Sequence, residues 1–113
     1  MTSKFYSGLK TVAYASLSIG DNDFNELSDY CLKQPFPVDT YAEETESFLS
    51  DRPTLNQVLH LIEQKQIQSL VIPSIEHVLG GRFSQASDFL KYLRLHGVEL
   101  LNLAAEANSH VIH

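Results

Sequence analysis

Apolar runs of two different periods alternate along this chain, and that alternation limits its fold more than anything else. Thr11-Val-Ala-Tyr-Ala-Ser-Leu-Ser18 is a short β-prone run closed by Gly20. Asp21-Asn22-Asp23 follows with helix-start chemistry, and Asp23 with Glu26 reads as a capping box. Phe24, Leu27, Cys31 and Leu32 then share one helical face, and Pro35 and Pro37 end that helix. Val38 to Tyr41 is a weak second strand, and Glu43 to Asp51 is polar, acidic and loop-like. Pro53 suits a first helical position, with Leu55, Val58, Leu59 and Ile62 as an apolar stripe behind it. Ser69 to Pro73 is a third strand and Ser74 to Phe83 is irregular. Ser84 or Ser87 can cap a helix with Ala86, Phe89, Leu90 and Leu93 on its inner face. Gly97 fits its C-cap, and Val98 to Leu103 is the fourth strand.

Strand and helix therefore alternate four strands deep. That order predicts an α/β three-layer sandwich with a mostly parallel sheet of four or slightly more strands and helices on both faces. At 113 residues the chain suits one domain, over 1–113, and is short for two. Sites in open α/β sheets lie beyond the carboxyl ends of the strands. That rule puts Ser16, Ser18 and Gly20 on one rim with Ser74 to Gly81.

Charge narrows the function classes. Eight basic residues against fourteen acidic ones give −6. Residues 21 to 51 hold nine acids and one base, Lys33, a surface that repels DNA phosphates. DNA binding by the chain alone is therefore not expected. The single cysteine, Cys31, cannot form an internal disulfide and falls on an apolar stripe. A reducing cytoplasm is the expected setting, with no signal peptide or membrane span in view.

The residue types offer little chemistry by themselves. No G-x-S-x-G elbow surrounds Ser16 or Ser18. Gly80-Gly81-Arg82 resembles an anion nest but lacks a phosphate-loop pattern, so a plain loop is the simpler reading. His110 and His113 have no third clustered ligand for zinc, His60 reads as a core-boundary residue, and His96 suits a helix's last turn. The acidic loop has no calcium-loop spacing. Neither a metal nor a cofactor is implied.

Four segments in order give the chain a family likeness. Val12-Ala-Tyr-Ala-Ser-Leu-Ser18 resembles the V-x-Y-A-R-V-S opening strand of the serine recombinase (resolvase/invertase) catalytic domain. Asp51-Arg-Pro-Thr-Leu55 resembles that family's R-P-x-L helix start. Leu70 to Leu79 sits where the family has its third strand and L-D-R-L-x-R, and His96 to Leu100 is similar to its G-V-x-L. The likeness spans residues 10 to 106. It implies a resolvase-like fold in which a serine attacks a DNA phosphodiester without metal, and arginines stabilise the phosphorane charge. By position Ser18 matches the nucleophile and Arg52 one of those arginines.

The other arginine positions are altered. Ser16 stands where the family has arginine, Glu76-His77 where it has Asp-Arg, and Gly80 where the last arginine falls. A shifted loop would let Arg82 approach the vacated place, and His77 would supply charge only when protonated. The family's long dimerisation helix and helix-turn-helix domain are not expected here. The combined expectation is a catalytically inactive serine-recombinase-like domain with Ser18 and Arg52 as vestiges. It would act as a regulatory or accessory protein through a protein partner or self-association, with Val111 and Ile112 as candidate contact residues. The alternative is a divergent recombinase that cleaves and rejoins DNA through Ser18.

Overall fold

In the computed structural model, the residues described are 10–17, 21–43, 52–80 and 82–104. Ser18, Gly20, Gly81, His110, Val111, Ile112 and His113 lie outside them. The elements run β1 (Lys10–Ser16), α1 (Asp21–Leu32), β2 (Val38–Glu43), α2 (Pro53–Glu63), β3 (Ile67–Ile72), a 3-10 turn (Ile75–Val78), α3 (Ala86–Leu95) and β4 (Glu99–Asn102). All three strand pairings are parallel, and the sheet order is β2-β1-β3-β4. This is the α/β sheet with helices on both faces that the alternation predicts.

The two-residue period of β1 divides the core. Val12 and Tyr14 point to one face and pack with Leu55, Val58, Leu59 and Ile62 of α2 and with Phe89 and Leu93 of α3. Ala13 and Ala15 point to the other and pack with Leu27 of α1 and Val71 of β3. Small side chains on that face let α1 lie close to the strand. The four-residue stripe of α2 is buried as its spacing predicts.

Several local expectations are corrected. The helix α1 starts at Asp21, so Asp23 lies within its first turn and its carboxylate binds His77. A capping box from Asp23 is thereby excluded. Leu32 ends the helix 83% exposed, since the apolar face of α1 has passed the sheet by then. Leu90 is likewise exposed. His60 is exposed on α2. Gln85, with no side-chain cap bond, precedes α3 in place of a serine. The largest correction concerns Glu43: it is the buried last residue of β2, in register with Ser16.

Candidate functional site

The chain leaves β1 toward β2 on one side and returns for β3 on the other, so the switch point lies between β1 and β3. Crevices form there at the carboxyl ends of parallel strands. At this rim the structure gathers Tyr14, Ser16, Glu43, Arg52 and His77, all buried, with Asp23 at the edge.

Arg52 is the hub. It is the residue before α2 and is only 2% exposed. Its Nη1 donates to the carbonyls of Leu79 and Gly80, the latter at 2.8 Å. Its Nη2 donates to the His77 carbonyl at 2.6 Å and, more loosely, to the Tyr14 hydroxyl at 3.4 Å. Its Nε–H has no partner among the described residues. Three main-chain carbonyls of the segment after β3 therefore converge on one guanidinium. Its planar fork of donors suits such a site, where a lysine's point charge would not.

An arginine before a helix supplies no acceptor for the free N–H groups of the first turn. Glu43 does so from the neighbouring strand. Its carboxylate accepts the N–H groups of Thr54 and Leu55 at 3.0 and 2.8 Å, and the Tyr14 hydroxyl at 2.8 Å. The negative group also complements the positive end of the helix dipole. Tyr14 thus bridges Glu43 and Arg52, and the two buried charges compensate each other across its hydroxyl. Burial, reinforced by the bond to Glu43 and opposed by Arg52, pushes the Tyr14 phenol well above its ordinary value.

His77 ties the third side of the rim. Its Nδ1 accepts the Ser16 main-chain N–H at 2.9 Å, and its Nε2 lies 2.9 Å from Asp23 Oδ2. A main-chain N–H only donates. The ring proton is therefore assigned to Nε2, where it serves the Asp23 carboxylate. The pair has the look of a catalytic Asp–His dyad, but its basic nitrogen is already occupied by Ser16. In this arrangement the neutral ring supplies no cation in place of the family's arginine.

The remaining candidates go elsewhere. Arg82 pairs with Glu63 at 3.2 Å, at the far end of α2 from Arg52, and stacks over the Tyr92 ring at 5.0 Å. The expected approach of Arg82 to the vacated place at Gly80 is thus corrected: the Glu63 carboxylate and two aromatic faces hold it on the opposite rim. Gly80 has φ +82°, and its N–H donates to the Phe83 carbonyl at 2.9 Å. That donor is not open to an anion. Cys31 is half-buried, which raises its thiol's pKa. Among the described residues no group of three His, Cys, Asp or Glu side chains is placed to hold a metal, and no helix is long and apolar enough to cross a membrane.

Sequence reasoning found Arg52, Ser16 and His77 but missed Glu43, Tyr14 and Asp23 as members of one network. The signal for Glu43 was faint. It lies just past the weak β-prone run Val38 to Tyr41, and the acids that follow make it read as loop.

Known proteins agree with this architecture. The C-terminal catalytic domain of ISC1926 TnpA, an IS607-like serine recombinase, is similar with a TM-score of 0.66 at 18% identity, over 83% of this chain and 68% of that one. The N-terminal catalytic domain of TP901-1 integrase gives 0.63 at 15% identity, over 85% and 78%. The first open reading frame of transposon ISC1904 from Sulfolobus solfataricus P2 gives 0.63 at 15%, over 83% and 66%. At these identities the likeness is one of fold. No curated protein gives a significant match. The family model "Resolvase, N terminal domain" matches residues 18–110, most of the chain. By that match, on an all-parallel sheet like those of serine recombinase catalytic domains, the chain belongs to the resolvase N-terminal domain family.

Proposed function

We propose that this chain is a recombinase-fold domain that does not exchange DNA strands and acts through protein contact, as a regulatory or accessory protein. The observation that carries this reading is the employment of Arg52. The one arginine that matches the family pattern is buried and binds three carbonyls of its own backbone. A guanidinium so engaged is not presented to a phosphate. Ser16, His77 and Gly80 occupy the other arginine positions with neutral groups. Each charged donor missing from such a site costs about 3 kcal/mol of transition-state stabilisation. Three together amount to roughly a million-fold in rate.

The test is covalent trapping. The purified chain is incubated with supercoiled plasmid and with nicked suicide duplexes, then run under denaturing conditions. No protein–DNA adduct is expected. An adduct that disappears in Ser18→Ala would establish the divergent-recombinase reading in its place.

A further inference from the structure

Among the described elements, α2 and α3 share the Val12–Tyr14 face of the sheet, and α1 alone lies on the other, against β1 and β2. Beside α1, over β3 and β4, that second face carries a cavity of about 270 Å³. It opens at the amino ends of the strands, at the opposite end of the sheet from the Arg52 rim.

Strand register sets its floor. Thr11, Ser69 and Glu99 are partners on β1, β3 and β4, so two hydroxyls and a carboxylate stand in one row. Neighbours in such a row are about 4.8 Å apart. The next row on the same face is apolar: Ala13, Val71 and Leu101. Tyr30, near the end of α1, and Phe36, from the loop after it, line the cavity as well. Among the described residues, no hydrogen bond or ion pair engages the side-chain oxygens of Thr11, Ser69, Tyr30 or Glu99.

This lining selects a small organic cation. Glu99 is its single charged group, on a chain of net charge −6. Of the cations at this end of the molecule, Lys10 pairs with Asp39, while Lys65 and Arg94 belong with the helices of the other face. Neither they nor Lys33 line the cavity. The two aromatic rings attract a cation to their faces, and the carboxyl end of α1 favours positive charge. Ligand pockets for drug-sized molecules are about 300–1,000 Å³, so the occupant is smaller than those.

We infer that this cavity binds a primary ammonium carried on a short apolar stem. An ammonium offers three N–H donors. Centred over Ser69, it has Thr11 and Glu99 one strand away on either side as further acceptors. The stem lies on Val71 and Leu101 beside the aromatic rings. A free amine and the lysine side chain of a partner protein share this chemistry. The inference is independent of whether the Ser18 rim exchanges strands, because it concerns the other end of the sheet and is read out without DNA.

Amide chemical-shift titration of the isotope-labelled chain tests it, with phenethylamine, the neutral phenethyl alcohol and a short peptide holding one lysine as probes. Saturable shifts at Thr11, Ser69 and Glu99 are expected with phenethylamine at millimolar concentration. The amine is expected to bind about tenfold more tightly than the alcohol. Glu99 is exposed, so Glu99→Gln is expected to keep the parent's circular dichroism and to remove the amine's advantage. Glu26→Gln, on the exposed face of α1, is expected to leave it. Phe36, 46% exposed, gives a second variant: Phe36→Leu keeps an apolar wall without a ring and is expected to weaken the amine and spare the alcohol. Saturation by the peptide assigns the site to a partner's lysine, and its exclusion while phenethylamine binds assigns it to a free amine. No saturable shift with either amine, equal affinity for amine and alcohol, shifts confined to another surface, or an advantage that survives Glu99→Gln overturns the proposal.

Discussion

Arg52 and Glu43 are the clearest case of residue chemistry fixing local structure. Without the guanidinium, the buried His77 carbonyl is left unpaired at about 1–3 kcal/mol, and the partly buried carbonyls of Leu79 and Gly80 lose this donor too. Arg52→Lys keeps the charge but cannot reach all three. It is expected to lower stability by about 3 kcal/mol, read as a fall in urea midpoint at unchanged m-value. An arginine held in reserve for phosphate would tolerate the same change. Tyr14 gives a second handle. Its hydroxyl pKa is raised in the folded chain, so the folded state keeps its proton more firmly than the unfolded state. The stability this contributes is whole below the unfolded value of about 10 and is lost as pH climbs beyond it. Tyr92, raised by burial and then by its bond to Glu63, acts in the same direction. Alkaline unfolding beginning above about pH 10 is expected, and Tyr14→Phe should make it shallower.

Among the elements, two helices end alike with different residues. The N–H groups of Gln66 and Lys65 bond back to Leu61 and Ile62 after α2, and those of Val98 and Gly97 to Leu93 and Arg94 after α3. Both are Schellman closures, which put one residue in the left-handed region. That residue is Lys65 at φ +61° in one and Gly97 at φ +70° in the other. A side chain at such a φ costs about 1 kcal/mol. Lys65→Gly is thus expected to stabilise the fold by about that amount, and Gly97→Ala to destabilise it similarly. No atom of the described residues lies within 4 Å of a Cβ built at Gly97, so the second change isolates the backbone effect. Differential scanning calorimetry on the pair checks both signs. Gly97 was legible in sequence, because a glycine after an apolar helical stripe marks a stop. Lys65 was not, because nothing in a lysine announces a positive φ.

For the molecule as a whole, charge is distributed by topology. In a parallel α/β sheet the helix C-termini return to the amino ends of the strands. Lys33 and Lys65 follow α1 and α2, Arg94 lies in the last turn of α3, and Lys10 begins β1. The described cations thus favour the rim opposite the switch point, where helix dipoles welcome them. Arg52 alone among them stands at the carboxyl-end rim, and it is enclosed. The net charge of −6 is expected to keep the chain off DNA: no retarded band is expected in a gel shift at about 0.05 M ionic strength, where a nucleic-acid binder holds most tightly.

The sequence by itself determined the strand–helix alternation, the buried stripe of α2 and the presence of Ser16, His77 and Gly80 where the resemblance leads one to expect arginine. Those are local matters of period and side-chain identity, and they carry over into any fold the chain adopts. Only the tertiary structure decided that Glu43 is a buried cap for a helix in another element, and that Arg52 serves main-chain carbonyls. The β1–β2 register sets Glu43 beside Tyr14, and the start of α2 and the 3-10 turn after β3 bring Arg52 and His77 to them; no spacing along the chain encodes such a meeting.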